Sequence, residues 1–214
     1  MANEELLNEI SGFLQKGRAK NVVELVQKAL DEGIGAKTIL EEGLLSGMNI
    51  IGDKFKKNEV YVPEVLIAAR AMNAGTEILK PFLAESGFKA SGKAVIGTVK
   101  GDLHDIGKNL VRMMFEGKGL EVIDLGTDVA PEKFVEVAKT ENCQIIALSA
   151  LLTTTMNEMK NVVDAVKEAG IKDQVTIMVG GAPVTQSFCD SIGADIYTPD
   201  AASAADAAVA ACTK

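Results

Sequence analysis

The sequence predicts two architectures in series: a four-helix bundle over residues 1–90, then an α/β unit with a parallel sheet over residues 91–214. Three observations lead there. Up to about residue 80 the apolar residues recur at helical spacing. Residues 84–92, Ala-Glu-Ser-Gly-Phe-Lys-Ala-Ser-Gly, are small and polar, as a linker is. Beyond them short apolar runs alternate with helical stretches, the pattern of a parallel sheet covered by helices on both faces.

In order, residues 3–16 place Leu6, Leu7, Ile10, Phe13 and Leu14 on one helical face and stop at Gly17. Residues 19–32 repeat the pattern with Val22, Val23, Leu25, Val26 and Leu30, stopping at Gly33. A longer pattern over 36–57 uses Ile39, Leu40, Leu44, Leu45, Met48, Ile51 and Phe55. Pro63 opens a fourth helix in its first turn, where proline is favoured. Its apolar positions are Val65, Leu66, Ala69, Met72, Ile78 and Leu79, and short links between four such helices predict a bundle. In the second unit the predicted strands are 94–99, 121–125, 145–149, 175–179 and 195–197. The predicted helices are 107–118, 131–140, 155–169, 183–191 and 201–212, with Gly170 and Gly193 as caps.

Composition narrows the function classes. A chain of 214 residues that is 47% hydrophobic can bury substantial cores, and with 4% aromatic residues and no Trp these must be built from Leu, Ile, Val, Ala and Met. A net charge of −8 argues against a nucleic-acid partner, whose binding needs Lys and Arg. No apolar run approaches the ~20 residues that span a bilayer. The acidic start Met1-Ala2-Asn3-Glu4-Glu5 lacks the apolar stretch of a signal peptide. Cys143, Cys189 and Cys212 match no disulfide or zinc spacing and read as free thiols in a reducing cytoplasm.

The chemistry concentrates in Gly101-Asp102-Leu103-His104-Asp105-Ile106-Gly107, which holds the only histidine of the chain. It lies where the run 94–99 hands over to a helical pattern, and in open α/β sheets that end of the strands binds ligands. A carboxylate two residues before a histidine suits metal ligation: one ring nitrogen takes the metal and the carboxylate holds the other N–H. A plain loop histidine beside a carboxylate fits the same seven residues.

Two later stretches join it. Ser149-Ala150-Leu151 ends the third run and Gly180-Gly181 ends the fourth. Asp-x-His-x-x-Gly, Ser-x-Leu and Gly-Gly, each just after a strand, resemble the cobalamin-binding domain of methionine synthase, B12-dependent mutases and corrinoid methyl carriers. Gly52-Asp53-Lys54-Phe55, Tyr61-Val62-Pro63-Glu64-Val65 and Ala69-Arg70-Ala71-Met72 resemble the helical cap of the methyltransferase branch. The whole chain is similar to corrinoid proteins of methylamine and betaine methyltransferase systems.

The resemblance implies a flavodoxin-like, Rossmann-like strand order under a four-helix cap whose 57–62 region lies over the corrin's upper face. It implies a cobalamin or corrinoid cofactor, cycling between methylcob(III)alamin and cob(I)alamin, with His104 as the lower ligand of cobalt. Asp102 would bond the far nitrogen of His104. Thr155 would bond Asp102, standing where methionine synthase has a serine. Gly101, Leu103, Asp105, Gly107, Ser149, Leu151, Thr153, Gly180, Gly181 and Ala201 would touch the corrinoid. Gly180 and Gly181 would leave room for the displaced nucleotide tail, and Gly107 would let the helix start pack closely. Thr153 also fits as a helix N-cap. The implied function is a methyl carrier, not an enzyme on its own. It would work between a substrate:corrinoid methyltransferase and a corrinoid:thiol or corrinoid:tetrahydrofolate methyltransferase, and be kept active by a reductive activase. A B12 sensor and a domain of another B12 enzyme are the alternatives.

Overall fold

The computed structural model describes residues 2–87 and 89–213; Met1, Lys214 and Phe88 of the expected linker lie outside the described residues. The chain divides into two compact units, Met1–Lys89 and Ala90–Lys214.

The first unit holds α1 (Ala2–Gln15), α2 (Ala19–Asp31), a helical stretch made of α3 (Ala36–Thr38), a π-helical segment (Ile39–Leu45) and α4 (Ser46–Lys56), then α5 (Val62–Glu85). The apolar faces read from the sequence form its core: Ile10, Leu14, Val22, Val26, Ile39, Leu44 and Leu79 are each fully buried. The π-helical segment interrupts the continuous helix expected over 36–57. The wider turns bring Gly43 and Gly47 against α1, where a Cβ at Gly47 would stand 3.1 Å from the Ser11 backbone. Pro63 lies in the first turn of α5, and the backbone N–H of Tyr61 donates to the Glu64 carboxylate at 3.0 Å, closing the helix start. The helix runs on to Glu85 through Pro81, so its end takes up the start of the expected linker. No helix of the described residues is long and apolar enough to cross a membrane.

The second unit alternates strictly: β1 (Gly92–Thr98), α6 (Ile106–Glu116), β2 (Leu120–Asp124), α7 (Pro131–Thr140), β3 (Ile145–Ser149), α8 (Asn157–Glu168), β4 (Thr176–Gly180), α9 (Gln186–Ile192), β5 (Ile196–Tyr197) and α10 (Ala201–Cys212). All pairings are parallel and the order is β2-β1-β3-β4-β5, the flavodoxin-like one. β1, β3 and β4 are buried on both faces, which is why they read as continuous apolar runs without alternation. Phe134 of α7 presses flat on β1, and only a glycine at position 97 admits it: a Cβ there would meet its ring at 2.8 Å.

Two helices begin later than the spacing predicts. α8 starts at Asn157, behind a turn in which Thr155 N–H bonds the Leu152 carbonyl at 3.1 Å. α9 starts at Gln186, behind a turn in which Val184 N–H bonds the Gly181 carbonyl at 3.0 Å. Thr185 caps it, its hydroxyl oxygen accepting from Phe188 N–H. Gly193 ends it at φ 74°, and Gly170 follows α8 at φ 69°.

Candidate corrinoid site

The register of β1, β3 and β4 sets Thr98, Ser149 and Gly180 side by side at the carboxyl ends of three neighbouring strands. The loops that leave these strands carry the candidate residues. After β1 the chain turns at Gly101, whose φ of 78° glycine adopts without strain. Asp102 then enters the interior, fully buried. One carboxylate oxygen accepts the backbone N–H of His104 at 3.0 Å and faces its ring Nδ1 at 2.8 Å. The other accepts the N–H groups of Leu151 at 2.8 Å and Leu152 at 3.2 Å, and the Thr155 hydroxyl at 2.8 Å. The Thr155 hydroxyl also lies 2.9 Å from the Leu152 carbonyl, but it has one proton and the charged carboxylate is the stronger acceptor.

Burial pushes the Asp102 carboxyl up, while the bonds from Leu151, from His104 backbone and ring, and from Thr155 pull it down. The bonds win, and the group stays ionised well below the usual carboxylate range. An ionised Asp102 facing Nδ1 keeps the ring proton there. The Nε2 lone pair is thereby left for a ligand, and half of the His104 side chain is exposed. Thr98, fully buried, holds the loop from below by donating to the His104 carbonyl at 2.9 Å.

Beside this pair lies a cavity of about 270 Å³ between the ends of β1, β3 and β4, helix α6 and the segment from Tyr197 to Ala204. Its wall includes Gly107, Ser149, Gly180, Gly181 and Ala201 among the expected residues. A Cβ at Gly180 or Gly107 would meet nothing within 4 Å, so both glycines keep the space open. For Gly107 this replaces the expected reason, close packing of the helix start. Gly181 differs: at φ 133° its Cβ would stand 1.8 Å from the Ala150 carbonyl oxygen. Leu103 is 73% exposed and Leu151 44%, an apolar rim flanking His104. Asp105 stands at the start of α6 and accepts from the Asn109 side chain at 3.0 Å. Thr153 is exposed in the turn before α8 and lines no part of the cavity; nor does it cap α8, whose cap position is Met156.

Sequence reasoning passed over several contributors. Thr98 stood inside an apolar strand run, where a polar residue was itself a signal. Lys108, 3% exposed on the cavity wall, pairs with Asp124 at the end of β2, and Asp124 also accepts from Gly126 N–H at 2.9 Å. A charged pair drawn from two elements leaves no trace in local spacing.

These features fit a flat macrocycle with a tail: a half-exposed histidine with one ring nitrogen left for a ligand, an apolar rim about it, and a slot opened by glycines. Models of the B12 binding domain match residues 92–209 and, separately, residues 6–80. This chain belongs to the corrinoid, B12-binding proteins. It is 43% identical to the dimethylamine corrinoid protein 1 of Methanosarcina acetivorans over 95% of this chain and 96% of that protein. The trimethylamine corrinoid protein 1 of the same organism is also 43% identical, over 92% of each chain. A chain in the crystal structure of the methanol:cobalamin methyltransferase complex of Methanosarcina barkeri superposes with a TM-score of 0.86 at 33% identity, covering 96% of this chain and 80% of that one. The cofactor of this corrinoid protein is therefore a cobalamin or related corrinoid with its cobalt.

Proposed function

We propose that this corrinoid protein carries a methyl group between a substrate:corrinoid methyltransferase, acting on a methylated amine or betaine, and a second methyltransferase. That second enzyme passes the methyl to a thiol or to tetrahydrofolate, and a reductive activase restores the carrier after accidental oxidation. The names of the dimethylamine and trimethylamine corrinoid relatives support the donor class, and the methanol:cobalamin methyltransferase complex supports a methyltransferase partner.

One observation carries the reading: a half-exposed histidine whose Nδ1 is held by a buried, ionised aspartate at the ligand-binding end of the sheet. When bound, the corrinoid supplies a cobalt centre that accepts and gives up a methyl group. The chain supplies the rest. His104 Nε2 would hold the cobalt. Asp102 keeps the proton on Nδ1 and so keeps Nε2 available. A proton on Nε2 would occupy the lone pair that ligates, and the Asp102 carboxylate would stabilise the imidazolium. Thr155 and the amides of Leu151 and Leu152 hold Asp102 charged through both states. Gly107, Ser149, Gly180, Gly181 and Ala201 form the slot for the corrinoid tail.

The test uses the corrinoid-loaded, reduced protein and carbon-14-labelled methylamines or betaine. Labelling of the protein to one methyl per cobalt only when a partner methyltransferase is added, and loss of the label to an acceptor when the second is added, is the expected result. Steady multiple-turnover demethylation by the isolated chain refutes it.

A further inference from the structure

We propose that Asp128 is a positioning residue for His104, acting through the backbone on either side of Asp102; this rests on the reading of His104 as cobalt ligand. Asp128 lies in the loop between β2 and α7, at φ 55°. That left-handed conformation is strained for a residue with a Cβ and free for glycine. Glycine has no carboxylate, and the carboxylate is used: one Asp128 oxygen accepts the Gly101 N–H at 2.7 Å. The backbone N–H of Asp128 donates to the Asp102 carbonyl at 3.0 Å.

One residue thus grips the two peptide units that bracket Gly101 and Asp102. The grip has a firm base. Val129 N–H bonds the Thr98 carbonyl at 3.0 Å, Thr98 N–H bonds the Gly126 carbonyl at 2.9 Å, and Val99 bridges Val129 in parallel. The two loops are therefore an extension of the β1–β2 side of the sheet. Gly101 sits at φ 78°, a conformation from which an ungripped glycine peptide swings easily. The direction in which Asp102 enters the interior, and with it the aim of the His104 ring held by its Oδ1, depends on those peptide units staying in place. Asp128 touches neither the His104 ring nor the Asp102 carboxylate in any bond of the structure, and its own carboxylate is exposed; its effect runs through geometry.

Three variants separate the hydrogen bond from the charge and from the backbone. Asp128→Gly deletes the acceptor while relieving the backbone. Asp128→Asn keeps the acceptor and the left-handed conformation but removes the charge. Asp128→Glu keeps the charge and moves it outward by one methylene. Corrinoid-loaded protein, labelled with nitrogen-15 histidine and reduced to the paramagnetic cobalt state, reports the ratio of histidine-on to histidine-off cofactor by its nitrogen splitting. The ratio is expected to fall about tenfold in D128G and D128E, the low end of the effect of losing an outer hydrogen-bond partner. It should stay within about twofold of wild type in D128N, because one backbone bond is preserved. In the cofactor-free protein the Gly101 amide should exchange faster in D128G and D128E and not in D128N, while the unfolding midpoint of D128G does not fall. An unchanged ratio in D128G, or a D128N ratio as low as that of D128G, overturns the role of Asp128. No histidine splitting in the wild type overturns the ligand reading itself.

Discussion

Replacing Asp102 by Asn tests the centre of the site, because the structure states what the amide cannot do. Asp102 accepts from five donors, three on one oxygen and two on the other. An amide has one oxygen. If that oxygen keeps Leu151, Leu152 and Thr155, the NH₂ group is turned on the His104 N–H at 3.0 Å and on Nδ1 at 2.8 Å. The part-buried His104 N–H then loses its acceptor, at a cost of ~1–3 kcal/mol. The three remaining bonds become neutral ones, costing about 1 kcal/mol more. The expected loss is therefore about 2–4 kcal/mol, a large part of a domain's net stability. The same NH₂ group forces Nδ1 to act as acceptor, which moves the ring proton to Nε2 and blocks the ligating lone pair. Histidine ligation should weaken by up to ~100-fold. Urea unfolding of the cofactor-free protein, followed by circular dichroism, measures the first effect; the nitrogen splitting of the reduced cofactor measures the second. The pH dependence supplies a sign check. The folded-state pKa of Asp102 is depressed, so its stabilisation is present above the unfolded value of ~3.9 and is lost as pH falls through and below it. The gap between wild type and D102N should be full at pH 7 and shrink toward pH 3. Equal stabilities at pH 7, or a gap that acidification leaves unchanged, would refute the reasoning.

Neighbouring glycines should behave in opposite ways. Gly181→Ala puts a Cβ 1.8 Å from the Ala150 carbonyl oxygen and should cost ~4 kcal/mol or more by urea unfolding. Gly180→Leu adds a Cβ that meets nothing within 4 Å and should leave stability within ~0.5 kcal/mol. Instead it should weaken cobalamin binding by at least ~10-fold while sparing cobinamide, which lacks the tail, since it fills the slot and nothing else. Lys108→Met leaves Asp124 with only the Arg112 guanidinium at 3.8 Å and the Gly126 N–H, and should cost about 1–3 kcal/mol. Adding Asp124→Asn should restore part of the loss, and a double-mutant cycle in unfolding free energy reads the coupling directly.

Much of this protein was determined by its sequence alone, and the reason is locality. Helical faces, apolar strand runs, Gly-terminated helices and the loop position of His104 are each set within a few residues, so spacing reports them. Two apolar patterns of different period, split by a polar stretch near residue 88, were enough for the two kinds of architecture. The strand order needed the family resemblance, because parallel strands pair across long connections whose sequence carries no record of the neighbour. The π-helical segment at Ile39–Leu45 and the late start of α8 were illegible for the same reason. In the first, the wide turns accompany Gly43 and Gly47 packing on α1. In the second, the Thr155 hydroxyl at the expected start serves a carboxylate about fifty residues away. Only the tertiary structure could decide what the residues around His104 do. Spacing brought Asp102 near the ring, but whether a buried carboxylate stays charged depends on every donor that reaches it, and three of the five come from beyond β3. Asp128 and the Lys108–Asp124 pair act across strands in the same way, through contacts that the folded backbone makes and that no local pattern in the chain records.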